Sequence, residues 1–171
     1  MTIAAAAATA VMPSPAAGAI YEPSSEAAHW TRFFDRAPDL TSPAERTRLS
    51  RSAIRAFVNI AEKWQINELQ ARGLLGGVAS STYHAWKTRP AGKRSPALRL
   101  DQDTLMRISL LIGIYKALHI YFDDKWSDRW PVLGNRGPMF QGQSPVEYMI
   151  QQGQPGMVQV RRMLDSWRGG S

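Results

Sequence analysis

Residues 67–89, NELQARGLLGGVASSTYHAWKTR, contain two short helical segments separated by a pair of glycines. Asn67 is a typical N-cap for the first segment, in which Leu69 together with Leu74 or Leu75 is expected to face the core. The glycine pair should end that helix, because glycine adopts turn conformations easily. Two short helices joined by such a turn have the form of a helix-turn-helix.

The spacing of four further residues supports the same interpretation. Gly73 is a small residue where the two helices are expected to approach each other, and Gly77 comes four residues later, where the turn needs a permissive backbone. Tyr83 and Trp86 follow Gly77 by six and nine residues, where a second helix must bury side chains. The stretch therefore predicts a recognition helix anchored by two aromatic residues.

The exposed side of this second helix carries hydroxyl and basic residues. One of the first three hydroxyl residues is expected to be its N-cap, and the others would lie at the helix end that approaches base edges or phosphates. The residues predicted to contact DNA are Ser80, Ser81, Thr82, His84, Lys87, Arg89, Lys93 and Arg94. The alternative is a solvated surface helix whose hydroxyl groups only cap it.

Two other kinds of site fit this stretch poorly. A serine hydrolase needs a positioned base and an orienting acid. His84 lies two to four residues from the nearby serines on a single helix, so these side chains point in different directions around it. A phosphate-binding loop needs a preceding strand and a Gly-Lys-Ser or Gly-Lys-Thr ending, and neither is present. We therefore assign no catalytic residue.

Strong helix signals lie on both sides of the helix-turn-helix. Ser42, Pro43 and Glu45 form a capping-box pattern, and a long amphipathic helix is predicted from about Asp101 to Phe122. The inward stripe of the first helix is Leu49, Ala53, Phe57, Ile60 and Trp64, and that of the long helix is Leu105, Ile108, Leu111, Ile112, Tyr115, Leu118 and Phe122. Because no useful strand alternation occurs, the predicted fold is all-α.

The chain is predicted to have three parts. Residues 1–26 are expected to be a disordered tail, since they are rich in alanine and proline. A signal peptide fits less well, because it would carry a Lys or Arg before the apolar run and none is present there. Residues 27–125, which begin with a short helix around Trp30, Phe33 and Phe34, should form the helix-turn-helix domain. Residues 126–171 should form a small C-terminal module.

Composition limits the classes of partner and site. The formal net charge of +7 favours a polyanionic partner such as nucleic acid. Zero cysteines exclude disulfides and thiolate zinc sites and are compatible with the cytoplasm, where we expect the protein to act. No run is apolar enough to cross a membrane. His29 and His119 lack ligand spacing, and Asp123, Asp124 and Asp128 are interpreted as a helix terminus, so no metal or cofactor is predicted.

The C-terminal segment has its own pattern of helix signals. Ser144, Pro145 and Glu147 form a second capping box, which starts a short helix expected to end at Gly153. A last helix is predicted from about Pro155, and its inward positions are Met157, Val160, Leu164 and Trp167.

The chain resembles the Xre/MbcA/ParS family of antitoxins, the partners of RES-domain toxins. The resemblance is carried by ARGLLGGVASSTYHAWK, the long helix that follows it, and PMFQGQSPVEYMIQQGQPGMVQVRRMLDSWRGG. The resemblance covers about residues 45–171, and Gln141 stands where the family more usually has glycine. It implies that the C-terminal module binds the toxin, with its extreme end reaching toward the NAD-binding pocket. The residues implied in toxin binding are Trp167, Arg168, Gly169, Gly170 and Ser171.

The resulting hypothesis is an antitoxin that blocks a RES-type, NAD-degrading toxin and represses its own operon by binding operator DNA. A homodimer is expected, because paired recognition helices read palindromic half-sites about one turn apart. The first alternative is a helix-turn-helix transcription regulator whose C-terminal module only dimerises, and the second is an enzyme that uses the acidic cluster of Asp123, Asp124 and Asp128.

Overall fold

The computed structural model describes residues 38–88 and 97–169, and these ranges contain helices and no strands. The helices are α1 (Pro43–Lys63), α2 (Glu68–Leu74), α3 (Ser80–Thr88), α4 (Gln102–Tyr121), α5 (Asp124–Arg129), a 3-10 helix (Trp130–Val132) and α6 (Pro145–Gly169). The predicted all-α fold is confirmed. The predicted N-terminal tail and the short helix around Trp30 lie outside the described residues.

Helix α1 begins and packs as its sequence predicts. Ser42 is the N-cap, and its hydroxyl accepts a hydrogen bond from the Glu45 N–H at 3.4 Å. The reciprocal half of the predicted capping box is not formed: the Ser42 N–H donates to the Asp39 carbonyl at 3.2 Å, and the Glu45 carboxylate pairs with Arg48. All five predicted inward residues of α1 are buried, and this face packs on α4.

Helix α4 lies between α1 and α6, so it is buried on more than one face. Five of its seven predicted inward residues are buried, and Tyr115 and Phe122 are only partly so. Ile114 and Ala117, which the predicted stripe does not include, are buried as well. Packing on two sides explains why an amphipathic stripe alone underestimates the buried surface of this helix.

Helix α6 is broken where the sequence predicts a break. Gly153 has φ 64° and ψ −149°, a conformation that is essentially restricted to glycine, and the helix resumes near Pro155. Ser144 and Glu147 form the predicted capping box, since each backbone N–H donates to the other side chain. We call residues 154–169 the C-terminal arm of α6.

Two details predicted for α2 are wrong. Leu69 is 73% exposed rather than buried, whereas Leu74 and Leu75 are both in the core. Gly73 does not make room for α3, because a side chain added there would meet Ile150 of α6 at 3.0 Å. The small residue at position 73 therefore serves the contact between α2 and α6.

Side chains from both predicted domains share one continuous core. Phe57 and Leu111 on one side of the predicted boundary at residue 126, and Phe140, Met149 and Leu164 on the other, belong to the same cluster. Helices α2 and α3 are thus held on a core that includes residues from both sides of the predicted boundary. None of the helices in the described ranges combines the length and apolarity needed to cross a bilayer.

Candidate functional site

The turn between α2 and α3 has the predicted glycine conformation. Gly76 has φ 91° and Gly77 has φ 81°, values that residues with a side chain rarely adopt. No heavy atom lies within 4 Å of the position that a side chain at Gly77 would take. Backbone conformation, rather than lack of space, therefore explains the glycine at position 77.

Tyr83 fixes α3 to α1. Its side chain is 4% exposed and contacts the Phe57 ring edge to face, with ring centroids 6.3 Å apart. Trp86 is half-buried against the same core. The two predicted aromatic anchors thus both hold α3, and Tyr83 is the more deeply buried.

A polar network ties the start of α3 to α2, and sequence reasoning missed it. The Ser80 hydroxyl donates to the Glu68 carboxylate, Glu68 lies 3.8 Å from Arg72, and Arg72 donates to the Val78 carbonyl at 2.7 Å. The i, i+4 spacing of Glu68 and Arg72 was the available signal. This network fixes the direction in which α3 leaves the turn.

The predicted capping of α3 by a hydroxyl residue is wrong. The helix begins at Ser80 itself, and the Tyr83 N–H donates to the Ala79 carbonyl at 3.0 Å, so Ala79 occupies the N-cap position. Ser81 and Thr82 lie exposed in the first turn. Both residues are therefore accessible to solvent at the N-terminal end of α3.

The rest of the predicted DNA-contacting set is only partly described. His84 and Lys87 are exposed on α3, and the Lys87 ammonium lies 5.6 Å from the centre of the Tyr83 ring. Arg89, Lys93 and Arg94 lie outside the described residues. The structure therefore brings the hydroxyl residues, His84 and Lys87 onto one helix, and the basic loop stays a prediction.

The C-terminal arm of α6 is anchored up to Trp167. Met157, Val160 and Leu164 are fully buried, and Trp167 packs edge to face against Tyr121 and Trp130 at 5.7 and 6.4 Å. The helical backbone continues through Arg168 to Gly169, while Gly170 and Ser171 lie outside the described residues. Trp167 is thus the last side chain that the core is seen to hold.

His119 and two acidic residues of α5 meet at the end of α4. The Nδ1 of His119 lies 2.9 Å from the Tyr115 carbonyl oxygen, and its Nε2 lies 3.7 Å from Asp124 and 3.6 Å from Asp128. Burial raises the pKa of Asp128. Across residues 38–88 and 97–169, no three His, Asp or Glu side chains are grouped so that they could hold a metal ion.

Comparison with known proteins finds a relative in Sinorhizobium fredii. No protein-family model matches the chain. The chain is 32% identical over 131 residues to the uncharacterized protein y4oB of Sinorhizobium fredii, and the match covers 76% of this chain and 95% of that protein. Identity at this level over nearly the whole relative shows common descent, so the chain belongs to the same family as y4oB.

Proposed function

We propose that the protein is an antitoxin that binds operator DNA through α3 and neutralises a RES-type, NAD-degrading toxin through the end of α6. The observation that carries the DNA-binding half is the geometry of α2, the glycine turn and α3. Tyr83 anchors this unit to α1, and α3 exposes Ser81, Thr82, His84 and Lys87, of which Lys87 lies beside the Tyr83 ring.

Electrostatics supports DNA as the partner of α3. The chain has 21 Lys and Arg residues against 14 Asp and Glu residues. A helix that exposes hydroxyl donors and a lysine can bind phosphates and base edges, while its anchored face keeps its orientation fixed.

The toxin-binding half rests on the resemblance of the C-terminal segment to Xre/MbcA/ParS antitoxins. The anchoring of α6 is compatible with it, because the packing of Trp167 against Tyr121 and Trp130 fixes the point from which the end of the chain continues. Preorganisation of this kind reduces the entropy lost when a segment enters a pocket.

The toxin hypothesis is tested by deleting residues 168–171 while keeping Trp167. We expect the truncated protein to lose inhibition of NAD hydrolysis by the RES-domain toxin encoded beside it, and to keep both its thermal stability and its DNA affinity. Full inhibition by the truncated protein would contradict occlusion by the C-terminus. Absence of a RES-domain neighbour and of any inhibition would contradict the antitoxin hypothesis as a whole.

The DNA hypothesis is tested with a labelled duplex of about 40 base pairs from the region upstream of the gene, which is long enough for two half-sites. Replacement of Lys87, Arg89, Lys93 and Arg94 by alanine should weaken binding and flatten its salt dependence by about 0.9 in logarithmic slope for each phosphate that is no longer neutralised. An unchanged slope would reject this basic surface. Lys125→Ala, on α5, removes one positive charge outside this surface and measures how much the slope changes when a charge is lost elsewhere.

The same samples distinguish the alternative regulator. If the C-terminal module only dimerises, truncation at residue 167 should leave every toxin assay unchanged, and DNA binding should follow the dimer population measured by sedimentation. An antitoxin dimer predicts loss of toxin inhibition with the dimer intact.

A further inference from the structure

A groove with basic walls lies between α1 and α3, beside the predicted recognition helix. Its volume is about 240 Å³. It is lined by Arg51, Ile54, Arg55, Val58, Asn59, Trp86, Lys87 and Leu98. We call it the arginine groove. Three of these eight residues are cationic and none is acidic.

Arg55 is the residue of this groove that is most available to a ligand. Four other helix arginines each pair with a carboxylate three or four residues away: Arg48 with Glu45, Arg72 with Glu68, Arg107 with Asp103, and Arg161 with Asp165. Arg55 has no such neighbour, because positions 51, 52, 58 and 59 hold Arg, Ser, Val and Asn. It is exposed and forms no ion pair with any residue in the described ranges.

The surface on the other side of Lys87 carries acidic rather than basic residues. A second groove there is lined by Glu62 and Glu68 together with Tyr83 and Lys87. Burial raises the pKa of the Tyr83 hydroxyl, and the negative charges of Glu68 and Glu62 raise it further. A polyanion beside Lys87 would therefore be repelled from the Glu62 side and attracted to the Arg55 side.

We propose that the arginine groove binds the phosphate backbone of duplex DNA, with Arg55 and Arg51 on α1 and Lys87 on α3 contacting the same strand. This inference rests on the proposed DNA binding by α3 and adds α1 as a phosphate-contacting helix. Contacts to phosphates fix the register of a protein on the duplex, while contacts to bases specify the sequence. The groove would thus set the orientation of α3.

The shape of the groove fits a backbone better than a small anion. Ile54, Val58, Trp86 and Leu98 give it an apolar floor beneath the charged rim. A sugar-phosphate strand offers apolar sugar surface along with its charges, so both parts of the groove would be used. Arginine suits this role because its guanidinium donates two parallel hydrogen bonds to a phosphate.

The inference is tested with Arg55→Ala, titrated against the upstream duplex and a scrambled duplex at several salt concentrations. The logarithmic salt slope should fall by about 0.9 for both duplexes, because a phosphate contact carries no sequence information. Arg55→Lys should keep the slope, since the charge is retained. Lys125→Ala should leave it unchanged, which controls for the change in net charge.

The possible failures are distinguishable. If the unmodified protein binds neither duplex, the proposed DNA binding is wrong. If the quadruple variant of the basic surface flattens the slope but Arg55→Ala does not, α3 binds DNA and the arginine groove does not take part. If Arg55→Ala weakens only the upstream duplex, Arg55 reads sequence and the phosphate assignment is overturned.

Discussion

Helix α3 and the C-terminal arm of α6 are the two elements proposed to contact partners, and the core holds them in different ways. In α3 only Tyr83 is buried, and most of the helix surface faces solvent. In the arm, Met157, Val160 and Leu164 are all fully buried. Most residues of α3 can therefore be substituted to test partner contact without disturbing the core. In the C-terminal arm this holds only for residues beyond Trp167.

The largest expected effect tests this difference directly. Leu164→Ala should lower the free energy of unfolding by about 2–5 kcal/mol, because it leaves a cavity in the core. Ser81→Ala on the exposed face of α3 should change it by less than about 0.5 kcal/mol. Chemical denaturation measures both, and equal effects would contradict the division between the two elements.

The glycine turns provide the second comparison. Gly153→Ala should destabilise the protein by about 1–3 kcal/mol, because its backbone conformation is essentially restricted to glycine. Gly77→Ala should cost about 1 kcal/mol, since a side chain there meets no neighbour and only the positive φ is unfavourable. Thermal unfolding measures the difference, and a larger loss for Gly77→Ala would show that the α2–α3 turn is the more constrained.

Replacing the N-cap of α2 tests how strongly the stability of this helix depends on hydrogen bonds at its own N-terminus. Asn67→Ala removes the side chain that accepts from the Gln70 N–H at 2.9 Å, and it should cost about 1 kcal/mol. Asn67→Asp is the control that keeps an acceptor and should cost much less. Urea denaturation reports both values, and a negligible loss for Asn67→Ala would assign the stability of α2 to packing alone.

The smallest effect concerns Asp128, which lies on α5 just before Trp130, the residue that packs against Trp167. Burial raises the pKa of Asp128, while His119 and Lys63 oppose that shift and Asp124 adds to it. Folding therefore favours the protonated carboxyl, and its ionisation costs stability as pH rises from the ordinary carboxyl range through the raised pKa.

Asp128→Asn should remove that cost, so the variant should melt slightly above the unmodified protein at about pH 7.5 and lose this advantage at about pH 3.5. Asp124→Asn, whose side chain is almost fully exposed, is the control and should show a smaller change. A rise in melting temperature for Asp128→Asn that is the same at both pH values would contradict the raised pKa of Asp128.

The elements that the sequence predicted correctly depend on short-range chemistry. The caps at Ser42, Asn67 and Ser144 are formed by side chains that reach backbone N–H groups three residues away. The stripe of α1 and the break at Gly153 likewise depend on residues close in sequence. DNA and toxin contact are predictions of another kind, because they concern partners outside the chain.

The errors lie where distant segments decide the outcome. Leu69 has the right spacing for a buried residue, yet no element in the described ranges covers that side of α2 and the side chain stays exposed. Ala79 rather than a hydroxyl residue is the N-cap of α3, and the Ser80 hydroxyl instead donates to Glu68, twelve residues earlier. Neither result follows from local spacing.

The sequence by itself determined the all-α class, the glycine turn before α3 and the two arms of α6, because backbone preferences and hydrophobic periodicity act over a few residues. Only the tertiary structure decided that Gly73 makes room for Ile150, that α4 is buried on more than one face, and that Arg55 and Lys87 border one groove. These features depend on which helices pack together, and that choice is made by the summed burial of the whole core.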